Sequence, residues 1–485
     1  MRRLFALSLL LTTLSAVTVA QTLRVNVGQV TYAHRAAAVG NMTFANGSTL
    51  TVQGMTYNVA NVSDITIDAN EVADNTVSVN YLGSTANIVV AGNIAPYLTI
   101  SAQGAKVSIV QSADLQQEVS YTLTGSSTNG SFVMDGEYKA NFTLNNLSLT
   151  SASGPAIDIE DGKAIGITLT GTNTVSDAAN GSHNAALYVE GHATIGGTGT
   201  LNVSGLTKHA IATDEYIVIS SGTINVQKAQ SDGLHINERF QMDGGNVSIA
   251  AAGDGIDIGF RGANKGTKDQ YEHNGFAEIN GGTLTITTTG DATKGLKADS
   301  TVIVTSGTIN ITTTGAAYYD TAEADITSSS ALKTGGSYQQ TGGNVTLLST
   351  GSGGKGLNAT GAVNVSGGTL QAVTTGARYK YSSSLDTKPQ ALKSDGNIMF
   401  TGGTIRAAVV DTKATTIKTD FTFSLTGATV MAIGGKAAAP NSGTQAYKTY
   451  TANVTAGQTV TYDGVSFTVP SAYSVSSATI LVSKP

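Results

Sequence analysis

Hydrophobic and polar residues alternate in short runs along the central part of this chain. In one stretch the runs are Ile211-x-Thr213, Ile217-x-Ile219 and Ile224-x-Val226, and Gly, Asp, Asn, Ser and Thr separate such runs. Alternation with a period of two is typical of β-strands, and the separating residues favour turns. No segment has a convincing helical period. The pattern therefore predicts an all-β chain built from short strands.

Two sequence repeats recur along these strands with a nearly constant phase. The first repeat, Gly-Thr/Asn-apolar-x-apolar, begins at Gly199, Gly222, Gly245, Gly282, Gly307, Gly343, Gly368 and Gly403. The second places a small residue before an apolar one, at Ala156, Ala186, Ala210, Gly233, Gly255, Gly295, Ala331, Gly356, Ala391 and Thr416. Three strands in a basic period of about 22 to 25 residues indicate one rung of a parallel β-helix. The leucine-rich repeat has a similar period, but the chain lacks its Leu-x-x-Leu-x-Leu frame.

We expect a right-handed parallel β-helix with three strands per rung and about ten regular rungs, because crossovers between parallel strands are right-handed. The chain is predicted to divide into a signal peptide (1–20), a small N-terminal β segment (21–75), irregular first rungs or a cap (76–130), the β-helix (131–434) and a C-terminal β cap (435–485). The cap is expected because an exposed end of the rung stack would be an aggregation edge.

Composition limits the function classes. The net charge of −6 and pI near 5.5 argue against nucleic acid as a partner. Arg2 and Arg3, followed by an apolar stretch and small residues up to Ala20, predict a secretory signal peptide cleaved near Ala20, and hence a periplasmic, surface or extracellular protein. No later stretch predicts a transmembrane segment, and we expect a monomer. The lack of cysteine excludes disulfides, thiolate metal sites and cysteine catalysis.

Three insertions interrupt the repeat, at about 259–275, 315–329 and 376–389. Insertions in a solenoid form loops on one face, and these three are predicted to border the same ladder of strands, making a walled groove. The outward residues on the groove floor change from acidic to basic along the axis: Asp158, Tyr188, Ala212, His235, Asp257, Lys297, Lys333, Asn358, Lys393 and Lys418.

The basic end of the groove is a candidate sugar-binding site. Stacked lysines repel one another unless an anion compensates, so Lys297, Lys333 and Lys393 predict a cationic subsite for carboxylated sugars. Tyrosine rings are platforms for sugar rings, and the loops carry Tyr318, Tyr319, Tyr379 and Tyr381 together with Arg378. Two other interpretations stay open. The lysines also fit a solvated face that pairs internally, as in Lys297–Asp299 and Lys393–Asp395, and the tyrosines also fit a role in pinning the loops.

The acidic end of the groove is a candidate calcium site. Asp232 falls on one rung, and Asp254 and Asp257 fall on the next, with Asp254 at the same rung position as Asp232. Neighbouring carboxylates repel unless a cation lies among them. The alternative is that Asp232 and Asp254 cap turns beside glycine. The histidines predict no metal set, since His209 and His235 lie on successive rungs without a third nitrogen ligand.

Several of these runs resemble one known family. Residues 154–163 (GPAIDIEDGK), 208–211 (KHAI), 254–257 (DGID) and 294–297 (KGLK) are similar to the bacterial proteins described as carbohydrate-binding domain-containing. The resemblance covers about 76–434. It implies a pectate-lyase-like parallel β-helix, binding of plant cell-wall polysaccharide of cellulose and acidic pectin type, and bound calcium. Residues 21–75 resemble a lead-in segment of secreted Bacteroidetes proteins.

Three functions remain open on this basis. The first is a secreted, non-catalytic carbohydrate-binding protein that recognises plant-type polysaccharide, including uronate-containing chains, in the groove. The second is a calcium-dependent polysaccharide lyase, in which Arg261, Lys265 and Lys297 would neutralise the uronate carboxylate and supply the base. The third is a structural surface adhesin in which the solenoid is a stiff spacer.

Overall fold

A computed structural model describes residues 21–40, 42–260, 274–436 and 439–485. Strands dominate these ranges, and the helices within them are one α-helical turn and two short 3-10 turns, so the predicted all-β class is confirmed. None of the helices in these ranges has the length and apolarity needed to span a membrane. The predicted signal peptide, most of the first insertion, Arg261 and Lys265 lie outside the described residues.

In the central part of the chain each strand pairs in parallel with the strand three places later, not counting two inserted hairpins. The strands therefore sort into three ladders. The ladder that carries the predicted groove, here called the floor ladder, begins with one antiparallel pair and continues in parallel. Its strands are Leu98–Gln103, Lys106–Gln111, Ser131–Asp135, Ile157–Glu160, Ala185–Val189, His209–Thr213, Leu234–Ile236, Ile256–Ile258, Lys294–Ala298, Ser330–Thr334, Lys355–Ala359, Gln390–Ser394 and Ile417–Lys418.

The long strand Ala140–Thr150 begins both remaining ladders, and Val119–Ser127 pairs with its other edge. The second ladder continues with Ala164–Thr170, His192–Gly197, Ile217–Ile219, Arg239–Met242, Phe276–Ile279, Val302–Val304, Tyr338–Gln340, Val363–Val365, Ile398–Phe400 and Phe423–Leu425. The third continues with Thr172–Ser176, Thr200–Gly205, Thr223–Ala229, Asn246–Ala251, Thr283–Thr288, Thr308–Thr313, Asn344–Ser349, Thr369–Thr374, Thr404–Val409 and Thr429–Gly434.

The core consists of aligned apolar columns. In the floor ladder Leu296 pairs in register with Ile256 on one side and with Leu332 on the other, and all three side chains are fully buried. Burying each such side chain contributes about 1.5–3 kcal/mol relative to leaving it exposed. The glycines before Ile256 and Leu296 have a steric reason, because a Cβ on Gly255 would lie 2.2 Å from Cγ2 of Ile286 and one on Gly295 would lie 2.0 Å from Cγ2 of Ile311. Both isoleucines enter the core from the third ladder.

Each end of the chain has a small core of its own, although the N-terminal strands Thr76–Leu82 and Thr85–Ala91 contribute to the main core. The N-terminal strands are Thr22–Val27, Val30–Arg35, Thr43–Ala45, Thr49–Val52, Met55–Asn58, Val62–Asp68, Thr76–Leu82 and Thr85–Ala91, with the helical turns Ala36–Val39, Val59–Asn61 and Ala95–Tyr97. The C-terminal strands are Ser442–Gly443, Tyr447–Val454, Thr459–Tyr462, Val465–Thr468 and Val475–Ser483. The last strand pairs antiparallel with Thr429–Gly434, the final strand of the third ladder.

Candidate functional site

The floor ladder brings the predicted outward residues into one column. The pairing register makes Lys297 a direct neighbour of Asp257 and of Lys333. It continues through Asn358 to Lys393. Neighbouring strands of a ladder lie about 4.8 Å apart, so residues that are distant in the chain share one continuous surface.

Two of the three predicted lysines have carboxylate partners. The Lys297 ammonium pairs with Asp299 at 3.6 Å, as the sequence allowed, but it lies closer to Oδ1 of its cross-strand neighbour Asp257, at 2.8 Å. Residues two apart in one strand are separated by about 6.6 Å, which is more than the spacing between strands. Lys393 does pair with Asp395 within its own strand, at 2.7 Å.

Lys333 differs from its neighbours in the column. Its Nζ donates a hydrogen bond to Oγ1 of Thr360 at 3.0 Å, and it forms no ion pair with a carboxylate within the described residues. Burial, followed by the charge of Lys393, lowers the pKa of Lys333, while Asp395 acts in the opposite direction. A half-buried ammonium group without a counter-ion is the strongest candidate on this face for contact with an anionic ligand.

Two of the insertions form β-hairpins beside the floor ladder. The first hairpin pairs Tyr318–Asp320 with Asp325–Thr327, and the second pairs Tyr379–Lys380 with Asp386–Thr387. Each precedes a floor-ladder strand, at Ser330 and at Gln390 respectively. Both hairpins therefore lie on the side of the ladder where its strands begin.

The tyrosines of the hairpins divide into two groups. Tyr319 and Tyr381 stack on each other across the two hairpins. Tyr318 is 41 % exposed and Tyr381 is 54 % exposed, so each leaves ring surface open to solvent. Tyr379 is half-buried and packs near Gly353, where an added Cβ would lie 2.9 Å from its own Cβ. The tyrosines thus pin the loops and also present exposed ring surface.

Arg378 braces the second hairpin. Its Nη1 lies 3.0 Å from Asp386 in the same hairpin, and its Nε lies 3.7 Å from Asp411. The Arg378 side chain is 18 % exposed, and its guanidinium group faces two carboxylates. The structure therefore places Arg378 as a support of the wall, while the lysines form the floor.

Lys355 lies buried beneath the same hairpin and was not singled out from the sequence. Its Nζ donates to Gly353 O at 3.1 Å, to Thr387 Oγ1 at 2.9 Å and to Lys388 O. Burial, followed by the charge of Lys393, lowers the pKa of Lys355 to about 7. The sequence signal is weak, because hydrophilic residues of several kinds occupy this ladder position, including Ser330.

The carboxylates predicted to bind calcium face different partners. Oδ1 of Asp232 accepts a hydrogen bond from the backbone N–H of Asp254 at 2.9 Å, and Oδ1 of Asp254 accepts one from Lys294 N–H at 2.7 Å. Asp257 pairs with Lys297 and lies 3.3 Å from His235. Asp232 and Asp254 thus have the turn-capping role given above as the alternative, and calcium at this trio stays a prediction.

Two histidine side chains contact the carboxylate of Asp232. Its Oδ2 lies 3.1 Å from Nδ1 of His209 and 3.4 Å from Nδ1 of His235, and the two imidazole rings stack with centroids 4.4 Å apart. Of the groups of three in the described ranges, it is His209, Asp232 and His235 whose ligand atoms all lie within 4.8 Å of one another. The sequence prediction considered only a third nitrogen ligand, and not the carboxylate of Asp232 as a neighbour of both imidazole rings.

Electrostatics tie this cluster together. Burial alone would raise the pKa of Asp232, but hydrogen bonds with His209 and His235 outweigh it and leave that pKa well below the ordinary value. Contacts with Asp232 and Asp257 raise the pKa of His235 to about 9, against the effect of burial. The cluster therefore continues into the Asp257–Lys297 pair of the floor.

Comparison with known proteins gives a family and one structural likeness. The family model described as carbohydrate-binding domain-containing protein matches residues 103–378, more than half of the chain. A solved structure described as a polysaccharide lyase-like protein from C. thermocellum, in a gadolinium derivative, is 20 % identical with a TM-score of 0.42. That likeness covers 60 % of this chain and 97 % of the other. No curated protein matches the sequence.

Proposed function

We propose that this chain, which belongs to the family of carbohydrate-binding domain-containing proteins, binds polysaccharide along its floor ladder without cleaving it. A long, regular face suits an extended polymer, because equivalent positions recur along the axis at the strand spacing. The observation that carries the proposal is Lys333, a half-buried cation that lacks a carboxylate partner in the described ranges and lies between Lys297 and Asn358 on this face.

In this proposal the three ladders are the three faces of a right-handed parallel β-helix with about ten regular rungs. Pairing of each strand with the third strand onward supports this architecture, and so do the aligned buried columns that include Leu296 and Leu332. The right hand follows from the crossover rule. Such a scaffold holds side chains from many repeats at fixed spacing, which lowers the entropic cost of binding a long chain.

The polymer that fits best contains uronate units. A uronate carboxylate would supply the counter-ion that Lys333 lacks, whereas Lys297 and Lys393 are already compensated by Asp257 and Asp395. The latter two lysines would instead donate hydrogen bonds to hydroxyl groups. The exposed ring surfaces of the hairpin tyrosines, Tyr318 and Tyr381, would pack against sugar rings at the wall.

Titration of the protein with polygalacturonate and with a neutral glucan tests this proposal. Lys333→Ala is expected to weaken binding to polygalacturonate by about ten-fold, since hydrogen bonds to charged groups contribute about 1.5–3 kcal/mol. Binding to the neutral glucan should stay nearly unchanged. Lys418→Ala is the matched control, because Lys418 lies in the same column and pairs with Asp420.

Three outcomes would count against parts of the proposal. Equal affinity of Lys333→Ala and the parent for polygalacturonate would remove the uronate subsite. Failure of the parent to bind either polymer would remove the carbohydrate-binding function. A rise in the absorbance of unsaturated product on incubation with polygalacturonate and calcium would replace binding with lyase activity.

We also propose that the protein is exported. The basic residues Arg2 and Arg3, the apolar stretch after them and the small residues before Gln21 support cleavage after Ala20. Mass spectrometry of the intact protein recovered from its producing cells should then give a chain that begins at Gln21. An uncleaved N-terminus in the recovered protein would contradict export by this route.

A further inference from the structure

The outward face of the second ladder contains a cleft that is one strand wide. It lies over the strand Ala164–Thr170, where the outward residues Ala164 and Gly166 have little or no side chain. We propose that this cleft binds a single neutral sugar ring, such as the end unit of a polysaccharide chain. The site goes beyond the proposed uronate site, because it lies on a different ladder from Lys333.

The pairing register of the second ladder creates the cleft. Gly166 pairs with Asn141 on one side and with Thr194 on the other, and Ala164 pairs with His192. The two flanking strands lie about 9.6 Å apart, twice the strand spacing, and the small residues between them leave a cleft of about 220 Å³. Sites for drug-sized ligands measure roughly 300–1,000 Å³, so this volume suits one ring and not a longer segment.

One wall of the cleft is a stack of planar groups. The ring of His192 stacks on that of Tyr216, with centroids 4.5 Å apart and 17° between the planes, and the guanidinium group of Arg239 lies 4.9 Å from the centroid of Tyr216. These three residues follow one another on successive strands, so the stack ends at His192, beside the small side chain of Ala164. Nδ1 of His192 lies 2.9 Å from Oε2 of Glu215, which fixes the orientation of the ring. The face of His192 towards Ala164 is therefore a preformed platform for a sugar ring.

The polar groups around the cleft compensate one another in charge. Nζ of Lys139 lies 3.0 Å from Oε2 of Glu118, and Nδ2 of Asn141 donates a hydrogen bond to Oε1 of the same carboxylate. Thr194 adds an exposed hydroxyl group on the opposite side. The cleft thus offers donors and acceptors, while the charge of Lys139 is already paired. Such a set suits the hydroxyl groups of a neutral sugar, in contrast to the anion expected at Lys333.

Saturation-transfer NMR of the full chain with the methyl glycosides of glucose, galactose, mannose and xylose tests the cleft. At least one of these neutral sugars is expected to receive saturation from the protein. Ala164→Leu places a side chain where the sugar ring would lie and should abolish the signal. His192→Ala should weaken binding by about three- to ten-fold, the range for loss of one ring contact. Thr168→Leu is the matched control, because Thr168 faces outward on the same strand but lies beyond the cleft.

Four results would overturn the inference or part of it. Lack of saturation of all four glycosides would mean that the cleft does not hold a sugar ring. Unchanged signals in both Ala164→Leu and His192→Ala would place the sugar elsewhere, and so would a loss of signal in Thr168→Leu as large as in Ala164→Leu. Preferential binding of methyl galacturonate that Ala164→Leu removes would assign the cleft an anionic ligand. The affinity of Ala164→Leu for polygalacturonate should equal that of the parent, which separates failure of this site from failure of the proposed function.

Discussion

The ring of Tyr319 lies face to face with the ring of Tyr381, with centroids 3.8 Å apart and 12° between the planes. The two residues belong to hairpins that enter floor strands two repeats apart, and the strand Lys355–Ala359 lies between those strands. The stack therefore joins two insertions into a single wall over one intervening repeat. Ring pairs of this kind contribute about 0.5–1.5 kcal/mol beyond the area they bury.

Tyr381→Ala should separate the hairpins without unfolding the ladders. We expect faster amide hydrogen exchange in the first hairpin, Tyr318–Asp320 and Asp325–Thr327, because it loses its ring partner. Exchange in the floor strand Ser330–Thr334 should not change. Tyr381→Phe retains the ring and serves as the control. Equal exchange in Tyr381→Ala and the parent would mean that the stack does not hold the wall.

Gly295→Ala should destabilise the core, because the new Cβ would lie 2.0 Å from Ile311 Cγ2 and 2.6 Å from Ala331 O. Overpacking of this kind costs about 1–3 kcal/mol in the free energy of unfolding, which chemical denaturation measures. Gly162→Ala is the control, since no atom lies within 4 Å of a Cβ there.

The clash with Ile311 also predicts that a second substitution restores part of the stability lost in Gly295→Ala. Ile311→Leu moves the branch of the side chain away from Cβ, so Gly295→Ala combined with Ile311→Leu should be more stable than the sum of the two single effects implies. Simple additivity in this double-mutant cycle would show that the steric contact with Ile311 is not the cause of the cost.

Lys355 should make stability depend on pH. Its folded pKa is about 7 and its ordinary value is 10.5, so between these values the unfolded chain holds a proton that the folded chain lacks. Through this group, stability is lowest below about pH 7 and rises as the pH increases towards 10.5. Lys355→Met removes this dependence.

The measurement compares unfolding free energies at pH 6.5 and pH 10. The stability of the parent relative to Lys355→Met should increase by about 4 kcal/mol between these two pH values. Lys380→Met, at an exposed position in the hairpin above, should show no such change. A difference that does not vary with pH would mean that Lys355 stays charged in the folded state.

Asp254 provides a test of the capping role at the acidic end. Asp254→Ala leaves the N–H of Lys294 without its acceptor and should cost about 1–3 kcal/mol in unfolding free energy. Asp254→Asn keeps an acceptor oxygen and should cost much less. Two results together would support the calcium prediction. A chelator would lower the unfolding free energy of the parent, and Asp254→Asn would lower it as much as Asp254→Ala does, which would mean that the carboxylate charge is needed.

The alternating pattern was sufficient to place the floor column. A period of two decides which face a side chain occupies, and the repeat decides which residues are neighbours, so Lys297 and Lys333 could be paired from sequence. The partner of Lys297 could not be deduced by pairing along its own strand, because Asp257 on the adjacent strand is closer than Asp299.

The alternation of hydrophobic and polar residues does not predict contacts between loops, or contacts between turns and strands. The stack of Tyr319 on Tyr381 and the burial of Lys355 depend on how the hairpins fold over the ladder, which periodicity does not describe. Asp232 was singled out from its rung position, but its contact with His235 follows from the turn that precedes the strand. The sequence therefore predicted which residues lie on the outward face of the floor ladder, and the structure showed which side chains contact one another there.

The final strand, Val475–Ser483, has a consequence for how this fold can change. It runs antiparallel to Thr429–Gly434 and so occupies the last parallel edge of the third ladder with a strand that cannot begin another identical repeat. Interior repeats contact only their neighbours, so duplicating one would lengthen the floor by about 4.8 Å while both termini stay as they are. The length of the floor ladder is therefore set by the number of repeats in the chain.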